Sequence, residues 1–110
     1  MKIGIVGATG LVGEKLLKLL EKSILPIEEL RIIGRKSHTV KHIIFKRDKI
    51  EVKPLQNEVF NNLNLVFFMA TSEISREYTP VAINNNCIVI DNSSQFRMDK
   101  DIPLVIPEVN

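Results

Sequence analysis

The chain has 110 residues, which corresponds to one domain that can bury about 60 to 65% of its unfolded surface and fold alone. Its 15 Lys and Arg residues against 13 Asp and Glu give a net charge of +2, and because these cations are scattered and no Trp accompanies them, nucleic-acid binding gains no support. One cysteine excludes an internal disulfide framework, and it cannot form a zinc site with the two separated histidines unless carboxylates help. With no signal-like leader and no membrane-length apolar run, we expect a cytoplasmic protein.

The first predicted element is a strand at 3–6, which stops at a glycine-rich turn where a helix-like pattern begins. The first N–H groups of a helix have no partner inside the helix and lie at the positive end of its dipole, so they attract an anion such as a pyrophosphate. Gly7 suits a tight turn, Gly10 a close approach of the backbone to phosphate, and Gly13 close packing of the helix on the strand. Thr9 adds a hydroxyl. The spacing predicts a dinucleotide-binding turn, with a tight structural turn as the alternative.

The later elements alternate between extended and helical patterns. In chain order they are the helix to about Ser23, a strand at 30–33, a β-hairpin at 43–45 and 50–52, at most a short helix within 54–62, a central buried strand at 63–70, a helix from its expected N-cap Ser72 to about Asn84, a buried strand at 87–90 and a short strand at 104–106. The predicted fold class is α/β: a Rossmann-like open, mostly parallel sheet with helices on both faces and a small β-hairpin insertion.

The residues after the 30–33 strand decide which nicotinamide cofactor is expected. NAD sites usually place an Asp or Glu there to bind the ribose 2′-hydroxyl, and this sequence has none. The residues that follow instead are Arg35, Lys36, Ser37 and His38. Because cations and hydroxyls suit a 2′-phosphate, NADP is the predicted cofactor, and a solvated basic loop is the alternative.

A second candidate site follows the strand at 87–90, since ligands in open α/β sheets lie beyond the carboxyl ends of strands. Asn92 and Arg97 lie there. Arg97 can hold a phosphate or a carboxylate by two parallel hydrogen bonds. From the residues alone, the alternative is a surface arginine paired with Asp99 or Asp101.

Cys87 is the only thiol in the sequence. It opens an apolar strand and has no histidine near it in the chain, so we predict a buried small hydrophobic residue rather than a nucleophile. His38 and His42 lack a third ligand and are expected to face solvent.

Four stretches together resemble aspartate-semialdehyde dehydrogenase: the glycine turn at 7–13, Arg-Glu-Tyr at 76–78, Asp-Asn-Ser-Ser-Gln-Phe-Arg-Met-Asp at 91–99, and residues 105–110 with their Pro-Glu-Val-Asn ending. The stretch at 91–99 is far more specific than the glycine turn. The resemblance implies NADPH-dependent reduction of aspartyl-β-phosphate to aspartate-β-semialdehyde with release of phosphate. This step leads toward lysine, methionine and threonine, and the full-length family member is expected to be a homodimer.

The resemblance also implies roles for single residues. Those it assigns to the cofactor pyrophosphate are Thr9, Gly10, Leu11 and Val12. Arg97 falls on the arginine that binds the substrate phosphate, and Asn92 is assigned to the same substrate. Thr71 falls beside the cofactor, but Thr-Ser-Glu stands where Gly-Gly-Ser is usual, so we expect the Glu73 carboxylate to repel phosphate. Ser37 and His38 stand where Arg-Ser is common, which leaves the 2′-phosphate to Arg35 and Lys36.

In the family, the nucleophilic cysteine and the acid/base histidine lie beyond the Pro-Glu-Val-Asn stretch. This sequence stops at Asn110, and Cys87 does not fall on the nucleophile position. The expectation is an NADP-binding domain at 1–110, without the catalytic and dimerisation domain and inactive alone. N-acetyl-glutamyl-phosphate reductase, a non-catalytic NADP-binding module and a degenerate gene product are the alternatives.

Overall fold

The structure is a computed structural model that describes residues 1–7, 11–34 and 42–91. Its elements are β1 (Lys2–Val6), α1 (Leu11–Lys22), β2 (Glu29–Gly34), β3 (His42–Phe45), β4 (Asp48–Pro54), a short 3-10 helix (Asn57–Phe60), β5 (Leu65–Phe68), α2 (Ser72–Asn84) and β6 (Ile88–Asp91). Each element predicted within these residues is present. The strand predicted at 104–106 lies outside the described residues.

The strands of the described residues form one sheet in the order β3-β4-β2-β1-β5-β6. β1 pairs in parallel with β2 and β5, and β5 pairs in parallel with β6. Only the β3–β4 pair at one end of this sheet is antiparallel. The predicted Rossmann-like α/β fold with a mostly parallel sheet is therefore confirmed.

The predicted small β-hairpin is present as β3 and β4. Its second strand, β4, pairs in parallel with β2, with Val52 opposite Ile32, and so extends the main sheet. Lys46 and Arg47 form the turn with positive φ values of 49° and 71°, as two-residue hairpin turns require. The backbone N–H of Lys46 donates to the Glu21 carboxylate of α1 at 2.8 Å, which ties the turn to that helix.

Two apolar layers cover the two faces of the sheet, because successive residues of a strand point to opposite sides. One layer joins β-strand residues to α1, and its fully buried members include Ile3, Ile5, Leu16, Leu20, Ile32 and Phe67. The other joins the opposite face to α2 and the 3-10 helix, with Val6, Ile33, Phe60, Val66, Phe68 and Ala82 buried. Helices on both faces, and a β5 strand buried throughout, are thus confirmed.

The expectation that the last described strand is buried is wrong. β6 lies at an end of the strand order, and Ile88 is 67% exposed. Four consecutive apolar residues suggest burial on both faces, but within the described residues β6 has a neighbour on one side only. Cys87, just before it, is buried as predicted.

Candidate functional site

The carboxyl ends of the five parallel strands lie at one border of the sheet, which we call the carboxyl edge: Gly7 after β1, Gly34 of β2, Pro54 of β4, residues 69–71 after β5, and Asp91 of β6. From β1 the chain crosses to β2 on one side, whereas from β5 it crosses to β6 on the other. β1 and β5 are hydrogen-bonded neighbours, so the switch in winding direction lies between them. In open α/β sheets, this is where ligands bind.

Gly7 occupies the floor of the carboxyl edge between these two strands. Its φ is +89°, a conformation that residues with a Cβ rarely adopt, and its N–H donates to the Ile33 carbonyl of β2 at 3.0 Å. A Cβ at this position would lie 3.0 Å from the backbone nitrogen of Ala70 and from the carbonyl of Met69. Two features therefore require a glycine at position 7: the positive φ of the turn and the close approach of the two loops.

Two helices begin at the carboxyl edge, one after each of the strands that flank the switch point. α1 starts at Leu11, so Leu11, Val12 and Gly13 form its first turn, and Gly13 is buried. The backbone N–H groups of such a turn have no partner within the helix and carry the positive end of the helix dipole. The described part of the predicted glycine turn is therefore Gly7 and the first turn of α1, and the binding of an anion there stays a prediction.

The N-cap of α2 is Thr71 rather than the predicted Ser72. Thr71 has extended backbone angles, with φ −77° and ψ 159°, and its hydroxyl oxygen accepts the N–H of Ile74 at 3.3 Å. Either hydroxyl can cap a helix, but Ser72 already lies inside this one. Because the Thr71 oxygen acts as an acceptor, its own proton remains available to a ligand above the edge. Glu73, which the resemblance sets against phosphate, is exposed in the first turn.

A partly buried polar cluster links α2 to the end of β6, and sequence reasoning missed it. The Ser75 hydroxyl donates to the Asp91 carboxylate and lies 3.4 Å from the Thr79 hydroxyl. Ser75 is 3% exposed. The available signal was helical spacing, since Ser75, Thr79 and the buried Ala82 fall on the same side of the helix.

Near the end of β2 lies a lysine side chain that the sequence analysis did not predict as part of the site. Lys53 of β4 lies opposite Ile33, one residue before the strand ends, and it is exposed. Its position depends on the parallel β2–β4 pairing, which no local pattern reveals. A cavity of about 390 Å³ lies beside Lys53, and Arg31 and Glu58 are among its other lining residues.

Most of the other predicted site residues lie outside the described residues. They are Thr9, Gly10, Arg35, Lys36, Ser37, His38, Asn92 and Arg97. Their roles remain predictions. His42, by contrast, is exposed as expected.

Cys87 lies at the opposite border of the sheet, where its thiol donates to the Leu63 carbonyl at 3.2 Å. Burial raises the pKa of the thiol, and the charge of Arg31 opposes this with a smaller effect. A buried thiol with a raised pKa is a poor nucleophile, in agreement with the predicted role as a small core residue.

The residues that the structure describes contain no group of three or more His, Cys, Asp and Glu side chains placed to hold a metal ion. Neither of their helices is long and apolar enough to cross a membrane.

Residues 2–110 match the family model described as "Semialdehyde dehydrogenase, NAD binding domain". The aspartate-semialdehyde dehydrogenase of Campylobacter jejuni is 41% identical over 99% of this chain and 32% of its own length. That of Bacillus subtilis is 37% identical over 100% of this chain and again 32% of its own. The chain thus spans about a third of the length of these curated relatives.

Solved structures of the same family are also similar to this chain. The crystal structure of aspartate semialdehyde dehydrogenase II complexed with ASA from Vibrio cholerae has a TM-score of 0.78 and 34% identity with this chain. The similarity covers 96% of this chain and 35% of the other. The similarity therefore extends beyond sequence to the arrangement of the strands and helices.

Proposed function

Because the chain belongs to the semialdehyde dehydrogenase family, as its NAD-binding domain, we propose that it is the NADP-binding domain of an aspartate-semialdehyde dehydrogenase. The reaction is the reductive dephosphorylation of aspartyl-β-phosphate to aspartate-β-semialdehyde. The curated relatives named above support the choice of this enzyme within the family. The proposal includes a cytoplasmic location and a homodimeric complete enzyme, as expected from the sequence.

The observation that carries the proposal is the glycine floor between β1 and β5. Gly7 has no side chain, so the turn after β1 packs directly on the backbone of Met69 and Ala70. A dinucleotide-binding fold needs a glycine of this kind, because the tight turn after the first strand leads the chain into the helix whose N-terminus holds the pyrophosphate. The N–H groups of Leu11 and Val12 would hold the pyrophosphate together with Thr9, Gly10 and Gly13, and the Thr71 hydroxyl would donate to the cofactor from the other side of the switch point.

The preference for NADP rests on the charges around the end of β2. Arg35 and Lys36 follow the strand directly, with Ser37 and His38 behind them, and the exposed Lys53 lies in the neighbouring strand. These groups attract a 2′-phosphate, whereas β2 ends in Ile33 and Gly34 without a carboxylate for a 2′-hydroxyl. When bound, NADPH supplies the hydride that reduces the acyl group.

On the substrate side, we assign Arg97 to the phosphate of aspartyl-β-phosphate and Asn92 to the same substrate. Both follow β6 in the chain, and β6 ends at the carboxyl edge. A guanidinium fits a phosphate by two parallel hydrogen bonds and neutralises part of its charge.

The cofactor preference is tested by calorimetric titration of the chain with NADPH and with NADH. We expect NADPH to bind at least about tenfold more tightly, since a 2′-phosphate adds charge-assisted hydrogen bonds. In Arg35→Gln the preference should shrink, whereas Lys49→Gln, a matched loss of charge beside the hairpin turn, should leave it unchanged. Equal affinities for the two nucleotides would contradict the proposal.

This chain alone is expected not to turn over, because its one thiol is buried at the far border of the sheet from the cofactor. The measurement is phosphate-dependent reduction of NADP in the presence of aspartate semialdehyde. Turnover that disappears in Cys87→Ser would show that the assignment of Cys87 to the core is wrong.

A further inference from the structure

Ser75 is the one buried polar side chain among the residues that the structure describes. It lies in an otherwise apolar helix face that packs on the sheet through Ile74, Tyr78 and Val81. A buried hydroxyl is tolerated when its hydrogen bonds are made, and here the Asp91 carboxylate accepts its proton. For stability alone, an alanine facing an apolar partner would serve as well, because the net gain from one hydrogen bond is small.

The hydroxyl groups form a chain with a defined direction. Ser75 has a single O–H, and the Asp91 carboxylate takes it. The contact between the Ser75 and Thr79 oxygens at 3.4 Å can then only have Thr79 as its donor. Two successive turns of α2 are thus held to one carboxylate at the end of β6.

This chain of hydrogen bonds ends at the candidate cofactor site. The N–H at position 75 donates to the Thr71 carbonyl at 3.1 Å, so the same residue bonds the N-cap through its backbone and β6 through its side chain. Asp91 lies opposite Phe68, and Phe68 lies opposite Val6, the residue before Gly7. The hydrogen-bonded strands β6, β5 and β1 therefore connect Asp91, which accepts the Ser75 hydroxyl proton, to Gly7 in the candidate cofactor site.

We propose that Ser75 is a positioning residue. Through its hydrogen bond to Asp91 it holds the first turn of α2 against the sheet, and this fixes the position of the Thr71 hydroxyl relative to the bound dinucleotide. The inference rests on the proposed function, since it deepens the account of cofactor binding. The side chain itself is buried and acts through Thr71.

The first test needs no ligand. In Ser75→Ala, amide hydrogen exchange measured by NMR should be about tenfold faster at Ile74 and at position 75, relative to the Leu20 amide in α1, because the first turn of α2 opens locally. The matched control is Ser23→Ala, which also removes one serine hydroxyl bond, that to the Leu20 carbonyl at 2.8 Å, at the far end of α1. Unchanged exchange at Ile74 and position 75 in Ser75→Ala would overturn the proposal.

The second test is a double-mutant cycle on the calorimetric Kd of NADPH. Ser75→Ala should weaken binding by about tenfold and Asp91→Ala by at least as much, since Asp91 also has an interaction besides that with Ser75. The double variant should be weaker than Asp91→Ala by clearly less than a further tenfold, because the contact between the two residues is lost only once. Ser75→Thr, which keeps the hydroxyl, should bind like the wild type, and so should Ser23→Ala. Additive losses, or full affinity in Ser75→Ala, would overturn the role of the contact.

The two proposals fail in different ways. A wild-type chain that binds neither NADPH nor NADH would overturn the proposed function, while the exchange measurement would still decide whether Ser75 holds the first turn of α2. Normal NADPH binding together with an inert Ser75→Ala variant would overturn only the positioning role.

Discussion

The two borders of the sheet are built in opposite ways. At the border opposite the carboxyl edge, which we call the amino edge, the chain closes on itself: Asn64 donates its N–H to the Lys2 carbonyl at 2.8 Å and accepts the Lys2 N–H on its side chain at 2.7 Å. The N-terminal ammonium donates to the Pro26 carbonyl, also at 2.8 Å. At the carboxyl edge, two helices begin instead, and their first N–H groups point away from any helical partner.

This difference separates stability from binding. Backbone groups that are paired with each other, as at the amino edge, contribute to folding and have little left to offer a ligand. Helix N-termini beside a glycine floor keep donors available. Variants at the two edges should therefore have different consequences, and the three predictions that follow test this.

The largest effect is expected from Gly7→Ala. The new Cβ would overlap the backbone of Met69 and Ala70 at a φ of +89°, so the two loops must separate, and NADPH affinity should fall by about a hundredfold. Gly4→Ala is the matched control within β1, since the one overlap of its Cβ would be with the movable end of the Leu63 side chain, at 2.6 Å. It should lower stability by about 1 to 2 kcal/mol and keep the affinity. An equal loss of NADPH affinity in both variants would show that binding does not depend specifically on the glycine at position 7.

The second effect belongs to the amino edge. Asn64→Ala deletes the side-chain oxygen that accepts the Lys2 N–H, and the free energy of unfolding in urea should fall by about 1 kcal/mol. NADPH affinity should stay within about twofold, because the change is at the border remote from the helix N-termini. Asn61→Ala, an exposed asparagine nearby, should change neither quantity. A drop in NADPH affinity for Asn64→Ala would show that the edges are coupled.

The smallest effect concerns pH at the amino edge. Burial raises the pKa of the Cys87 thiol above its ordinary value of 9.0, so the folded state holds this proton more tightly than the unfolded chain does. That contribution to stability is complete below the ordinary value and is lost as the pH rises toward the folded-state pKa. Urea unfolding between neutral and alkaline pH should show this decline, and it should be shallower in Cys87→Ala.

The control for that series is Tyr78→Phe, because burial also raises the pKa of Tyr78 above 10.0, with the nearby Glu77 adding to the effect. Its contribution is complete below its ordinary pKa of 10.0, whereas that of the thiol is complete only below its ordinary pKa of 9.0. An identical pH profile of stability for the wild type and Cys87→Ala would contradict the prediction that burial raises the pKa of the Cys87 thiol.

Local patterns predicted those parts of the fold that depend on neighbours in sequence. The apolar run at 63–70 became β5, and the glycine turn of β1 took the expected left-handed conformation at Gly7. The carboxyl edge follows from these two elements, because parallel strands with crossover helices place their ends together.

The features that sequence missed depend on partners distant in the chain. Parallel pairing of β4 with β2, which brings Lys53 opposite Ile33, has no local signature. The exposure of Ile88 follows from the place of β6 at an end of the strand order rather than from its composition. No prediction from sequence pointed to Ser75, because its environment is set by Asp91, 16 residues later in the chain.

The contact between the turn after β1 and the loop after β5 also constrains how such a chain can vary. Gly7 meets Met69 and Ala70 through main-chain atoms, so neither loop can gain bulk or a residue unless the other moves with it. Changes at these two places, more than 60 residues apart in the chain, should therefore be inherited as compensating sets. A laboratory exchange of one loop between relatives should succeed only when the other is exchanged with it.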